Sequence, residues 1–372
     1  MAELILTTDL VELLTGYDLH VHFRSGKMGK LVAHHTARSF HGALVMPNLD
    51  PPITTATMAR GYREQILTWT GTHDFTPIMT IKITGATTPE MIQDAKSLGF
   101  YVGKLYPEGV THNSLDGVKI TDIEKLFPAF AEMEKLDMVL CLHGEMPRPV
   151  HILKREEEFL AILRKIARKF PNLRIVLEHI TTEAAVKAVL ELPQNVVATI
   201  TLHHLYLTLE DVIAYLDTHG NEGINPHHYC KPIAKFESDR QALRRAAFSG
   251  FPKFFFGSDT APHSRNKKEC SCGCAGVFTA PVALPMLWQF FLEMAENDLV
   301  KAKEHFDKFV RVNGANHYKL PLATKRIRLS RKTWMVPDSY GDTDHHENGI
   351  IAVPFMAGKQ LQWFEEDMTI AA

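Results

Sequence analysis

Short β-rich apolar runs alternate with longer helical patterns from the start of this chain to about residue 260. That alternation restricts the fold more than any other feature. The candidate strands are Tyr17–Phe23, Ala43–Pro47, Pro77–Ile83, Val102–Tyr106, Met138–His143, Arg174–His179, Val196–Thr201 and Phe254–Asp259. Between them lie stretches with apolar residues at three- and four-residue spacing, such as Thr121–Lys135 and Lys154–Lys169, which predict helices. Strands each followed by a helix-sized segment predict an α/β fold with a parallel sheet, and eight strands are the number that closes a (β/α)8 TIM barrel. A doubly wound open sheet is the alternative, because periodicity does not report closure. After residue 320 the pattern changes to short strand-like pieces at Arg326–Leu329, Thr333–Val336 and Gly349–Phe355. The expected organisation is a barrel over residues 1–320 and a C-terminal extension over 321–372 packed on it. Asp342–Asn348 reads as a solvated loop within that extension.

The remaining composition narrows the class. Hydrophobic residues at 45% and charged residues at 23% suit a globular protein with a sizeable core. A net charge of −2 and no basic stripe give no expectation of nucleic-acid binding. No uncharged apolar run reaches the roughly 18 residues that a membrane span requires. The first residues lack the basic segment of a signal peptide, and five cysteines form no disulfide framework. These features predict a cytoplasmic globular protein.

The chemically capable residues fall at strand ends. His20 and His22 lie on the first strand, Asn48 follows the second, and Lys104 is near the end of the fourth. His143, His179 and Asp259 end the fifth, sixth and eighth. In a parallel barrel these ends open on one face, where barrel enzymes place their active sites. His20-Val-His22 sets two imidazoles on one side of a strand, able to chelate a divalent ion. His143 and His179 extend the set, and Asp259 can serve as ligand and proton carrier. Lys104 has two readings. It is either a strand-end lysine snorkelling to solvent or a buried amine that takes up carbon dioxide to become an anionic, metal-bridging carbamate.

The segments Asp18-Leu-His-Val-His-Phe-Arg24, Met46-Pro-Asn48, Gly103-Lys-Leu-Tyr-Pro107, Leu142-His-Gly-Glu145, Leu177-Glu-His-Ile-Thr-Thr182, Gly257-Ser-Asp-Thr-Ala-Pro-His263 and Cys272-Gly-Cys-Ala-Gly276 resemble, in order, those of the amidohydrolase superfamily. Within it they are similar to the shorter, bacterial-type (class II) dihydroorotases over nearly the whole chain. The resemblance implies reversible hydrolysis of cyclic (S)-dihydroorotate to N-carbamoyl-L-aspartate in pyrimidine biosynthesis. It implies two Zn2+ per subunit, one held by His20, His22, N6-carboxylated Lys104 and Asp259, the other by Lys104, His143 and His179. A hydroxide bridging the zinc ions would attack the ring amide, with Asp259 as general base and then acid. Arg24, Asn48 and His263 would hold the substrate carboxylate, Ala275 and Lys231 would contact the ring through backbone, and His143 and Thr111 would also face substrate. Family members are commonly homodimers.

Two positions depart from the family pattern. The loop Glu108–Asn113 carries Thr111 followed by His112 where two adjacent threonines are expected, and Lys231 replaces an apolar residue. Lys231 would sit beside the acidic substrate or point to solvent. Cys270, Cys272 and Cys274 could bind a separate zinc, but they lack the paired Cys-x-x-Cys spacing of structural sites, and a tight loop under the substrate explains them better. Two rival functions are weighed. A hydantoinase or dihydropyrimidinase would share the metal pattern but leave Arg24, Asn48 and His263 idle. A degenerate barrel kept as an assembly partner would have lost ligands, whereas every ligand position here is filled.

Overall fold

The computed structural model of the chain describes residues 4–71, 74–111, 114–216, 220–341 and 350–367. His112 and the Asp342–Asn348 segment lie outside the described residues.

The parallel strands are almost wholly buried, as expected where helices cover one face and a packed interior the other. A six-stranded sheet runs from Ile81–Ile83 through Val102–Leu105, Val139–His143, Arg174–Glu178 and Val196–Ile200 to Phe254–Phe256. A three-stranded sheet joins Tyr17–Val21, Gly42–Val45 and Thr76–Met79. The single third strand expected over Pro77–Ile83 is therefore two. At Thr80 the chain changes partner: the Thr80 hydroxyl donates to Val45 O at 2.6 Å, while Ile81–Ile83 pairs with Val102–Leu105. This joins the two sheets on one side. On the other, Val21 bridges Thr260, His22 N donates to Thr260 O at 2.9 Å, and Asp259 N donates to His20 O at 2.9 Å. First and last strands thus meet, and the sheet is a closed TIM barrel rather than an open one.

Alternation along the strands separates two cores. Val102, Val139, Cys141, Val176, Val197 and Phe255 pack together in the barrel interior. Leu140, Leu142, Ile175 and Leu177 belong to the larger core shared with the helices. This parity aims Lys104, His143 and Glu178 inward above Val102, Cys141 and Val176. His179, one residue beyond its strand, would point outward by the same rule, but φ of +42° turns it back to the mouth. Left-handed backbone costs an L-residue roughly 1–2 kcal/mol, and Arg24 (φ +68°) and Asp259 (φ +45°) share it. Three site residues at barrel-strand ends are therefore held in conformations that the fold must enforce.

Arg155–Lys169 forms the expected amphipathic helix. It buries Phe159, Leu160, Leu163, Ile166 and Ala167, with Glu156–Glu158 in the first turn and Arg168 and Lys169 in the last, favourable at both ends of its dipole. The helix expected over Thr121–Lys135 divides into a 3-10 segment, Ile120–Leu126, and an α-helix, Phe127–Lys135. Pro128 is the cause, since it lacks an N–H and is tolerated only in a first turn.

The C-terminal strand Lys325–Ser330 pairs antiparallel with Leu10–Thr15 and with Phe364–Glu366. This small sheet thus draws on both ends of the chain, which the sequence pattern did not reveal. Arg328 crosses it to Glu12 at 2.8 Å. No helix of the described residues is long and apolar enough to cross a membrane.

Candidate active site

Barrel closure brings His20, His22 and Asp259 into contact. His20 Nε2 and His22 Nε2 lie 3.3 Å apart, and Asp259 Oδ1 stands 3.1 Å from His22 Nε2 and 3.5 Å from His20 Nε2. His143 Nδ1 is 3.2 Å from His179 Nε2, and the His179 ring centroid lies 5.0 Å from that of His20. All four imidazoles are buried, and burial pushes each below the ordinary histidine pKa, so each is neutral and able to bind a metal.

The outer nitrogens are fixed by neighbours. His20 Nδ1 donates to Glu178 Oε2 at 2.8 Å, an oxygen that also accepts the Thr199 hydroxyl at 2.6 Å. His22 Nδ1 donates to Asn48 Oδ1 at 2.7 Å. With the proton on Nδ1, both Nε2 lone pairs face Asp259. His143 Nε2 contacts Glu145 Oε2 at 2.8 Å. Such carboxylate and amide partners orient metal-binding imidazoles. Glu178 and Glu145 were not singled out from the sequence, and adjacency to a site histidine in their motifs was the only available signal.

Lys104 does not snorkel. It is fully buried, and its Nζ makes no hydrogen bond among the described residues. His179 Nδ1 is also unpartnered among them. An unpaired ammonium in such a place costs several kcal/mol, and burial lowers the Lys104 pKa. Neutral imidazoles, a carboxylate and an orphaned buried amine make a donor set that fits borderline divalent metals.

Above these groups the cavity wall comprises His22, Arg24, Asn48, Tyr106, Thr111, His143, His179, Lys231, Asp259, Ala261, Ala275 and Gly276. Tyr106, Ala261 and Gly276 were not anticipated. Arg24 Nε donates to Pro262 O at 2.9 Å, and its Nη2 meets His263 Nε2 at 2.9 Å. His263 Nε2 also lies 3.1 Å from Ala275 O. Lys231 lines the cavity instead of pointing to solvent, its Nζ donating to Val110 O at 2.6 Å and tying the Thr111 loop to the opposite wall. Ser114 closes that loop by donating to Thr111 O at 2.7 Å.

The Cys272–Gly276 turn is held by Lys268, whose Nζ donates to Cys274 O, Gly276 O and Tyr229 O at 2.8, 2.6 and 3.1 Å. Gly276 has φ of +146°, and a Cβ there would lie 2.2 Å from Ala261 O, so only glycine fits. A tight loop under the cavity therefore accounts for this motif.

A closed parallel barrel whose C-terminal mouth gathers imidazoles, an orphaned lysine and a carboxylate belongs to the class of metal-dependent hydrolases. No protein-family model matches the chain. The chain is 42% identical over 360 residues to a dihydroorotase of Synechococcus sp. (strain CC9605), covering 96% of this chain and 97% of that one. The crystal structure of dihydroorotase from Campylobacter jejuni superposes with a TM-score of 0.85 at 37% identity, covering 97% of this chain and 99% of the other. That of Saccharomyces cerevisiae dihydroorotase in complex with 5-fluoroorotic acid gives 0.84 at 34% identity, with 96% and 99% covered. The chain belongs to the dihydroorotase family, whose members are hydrolases acting on a cyclic amide.

Proposed function

We propose that this protein opens the ring amide of (S)-dihydroorotate to N-carbamoyl-L-aspartate and, in the direction pyrimidine synthesis requires, closes it again. The observation that carries this reading is Arg24, which lines the cavity with Asn48 and has its Nη2 2.9 Å from His263 Nε2, above a site that holds four imidazoles, Asp259 and the buried Lys104 amine.

In this reading two Zn2+ would be held per subunit, one by His20, His22, carboxylated Lys104 and Asp259, the other by Lys104, His143 and His179. Bound there, they would supply an acidified water and a Lewis acid for the ring carbonyl. The chain provides the rest. Asp259 takes the proton of the attacking water and delivers it to the departing ring nitrogen, as a general base and then acid. Glu178 and Asn48 keep the His20 and His22 protons on Nδ1. Arg24 receives the ring carboxylate with His263 and Asn48, its planar fork suited to two charge-assisted hydrogen bonds. The backbone of Ala275 and Lys231 meets the amide edge of the ring, and Thr111 closes over it. The barrel over 1–320 with its extension over 321–372 acts as a homodimer. Five unpaired cysteines support a cytoplasmic location.

Steady-state turnover of L-dihydroorotate by zinc-loaded protein, with metal content measured on the same sample, tests the proposal. Turnover with about two metal ions per chain is expected. Two metal ions with turnover of hydantoin or dihydrouracil instead would reassign the substrate. Neither metal nor turnover after supplying zinc and bicarbonate would overturn the reading.

A further inference from the structure

Beyond the seventh barrel strand the chain passes through Thr201 into the short helix Leu202–Tyr206. There it meets Cys230 and Pro232, which flank the cavity-lining Lys231. His203, His204 and Cys230 are buried, and one donor atom from each lies within 4.8 Å of the other two. None of these residues has a part in the chemistry proposed above.

Three of the candidate donor atoms lie in mutual contact. Cys230 Sγ is 3.4 Å from His204 Nε2, and Pro232 O stands 3.0 Å from that nitrogen and 3.2 Å from the sulfur. Around a zinc ion with bonds of about 2.0–2.3 Å, adjacent ligand atoms are separated by roughly 3.3–3.6 Å. The sulfur–nitrogen edge falls in that range, and the two edges to Pro232 O, at 3.0 and 3.2 Å, are hydrogen bonds that an ion would lengthen by a few tenths of an ångström. His204 Nδ1 is engaged by the Thr201 hydroxyl at 2.8 Å, as the outer nitrogen of a metal-bound imidazole usually is.

His203 provides the second observation. Both its ring nitrogens are buried and unpartnered among the described residues. Its ring centroid is 4.3 Å from that of His204. Hydrogen bonds to Pro232 O satisfy His204 and Cys230 in the absence of an ion, but they leave His203 with an uncompensated donor and acceptor. Burying such groups unpaired costs on the order of 1–3 kcal/mol each. A thiophilic cation would employ all three side chains and the carbonyl at once.

We propose that His203, His204 and Cys230, with Pro232 O, form a further metal site for a thiophilic divalent cation, zinc by its donor set. Binding requires that the Cys230 thiol release its proton to solvent and that the His204 proton move from Nε2 to Nδ1, where the Thr201 hydroxyl oxygen can accept it. The site has no position left for substrate, so its role is to hold. It clamps the helix after the seventh strand to the segment carrying Lys231, whose neighbour Tyr229 accepts from Gly276 N at 2.9 Å under the cavity.

Cobalt(II) tests this independently of turnover, because the proposed catalytic ligands contain no sulfur. The full chain with Cys270, Cys272 and Cys274 changed to Ser is reconstituted with Co2+, and its thiolate-to-cobalt charge-transfer absorption and metal content are measured. Absorption is expected, and adding Cys230→Ser should abolish it and remove about one metal ion per chain. His203→Gln, which keeps the sulfur, should weaken retention of the same ion during dialysis, and it serves where Cys230→Ser does not fold. No charge-transfer absorption in the parent, or absorption that persists in Cys230→Ser, would overturn the proposal. Loss of dihydroorotate turnover with this absorption intact would count against the catalytic reading alone.

Discussion

Lys82 and Lys104 are register partners on adjacent parallel strands, both buried, both beside the ring of Tyr106 at 5.9 and 5.1 Å. They differ in what the amine meets. Lys82 ends on the carboxylate of Asp116, which reaches solvent, so its charge has a counterion. The Nζ of Lys104 has no hydrogen-bond partner among the described residues. The same residue type at the same depth thus splits into a lysine whose interactions close within the fold and one whose interactions do not. Folding alone gains little from a buried ammonium without a hydrogen-bond partner, and burial lowers the Lys104 pKa. That contrast, rather than burial, is what marks Lys104 and not Lys82 as the candidate for chemistry.

The contrast is broken most directly by substitution. On the proposed reading, Lys104→Ala should lower kcat/KM by on the order of 10^3-fold or more, since the two cations would lose a shared ligand. Metal analysis should show the loss together with the rate. Retained metal content and turnover would show that Lys104 is as structural as Lys82. Asp259→Asn should reduce kcat by roughly 10^2–10^4-fold, the usual worth of a positioned proton carrier, with the fold intact by circular dichroism. A rate near that of the parent would remove Asp259 from that role.

Much of this was legible in the sequence because it follows from periodicity. The βα alternation predicted a parallel α/β sheet with the strand number of a barrel, though not its closure, and strand ends predicted where His20, His22, Lys104, His143, His179 and Asp259 would gather. What was not legible depends on long-range pairing. The partner change at Thr80 follows from hydrogen bonds to strands on either side, which no local pattern encodes. The pairing of Leu10–Thr15 with Lys325–Ser330 joins residues more than 300 positions apart. Left-handed backbone at His179 and Asp259 is a tertiary outcome at residues with no glycine to announce it. Pro128 was a local signal for the divided helix that apolar spacing outweighed. Lys231 was left between substrate and solvent, and only the position of Val110 O decides its direction.

Smaller effects sharpen the comparison by probing groups that act through a neighbour. Glu178→Gln keeps an oxygen for His20 Nδ1 but removes the charge, and should weaken metal affinity by about 10–100-fold. Titration with zinc should then restore turnover, whereas a purely structural role would leave the zinc requirement unmoved. Arg24→Lys replaces a planar fork with a point charge and should raise KM for dihydroorotate by about 10-fold, leaving kcat near the parent's. An unchanged KM would detach Arg24 from the substrate carboxylate.

Lys82→Met is the counterpart to Lys104→Ala and should have the smallest effect on rate. Methionine retains the apolar stem and packs beside Tyr106, and Asp116, already in contact with water, can resolvate without its partner. The expected cost is about 1–3 kcal/mol of stability, read as a lower midpoint in urea unfolding. Metal content and kcat/KM should remain near those of the parent. If Lys82→Met instead lost metal, the counterion on Asp116 would be no guide to function, and both lysines would belong to the centre.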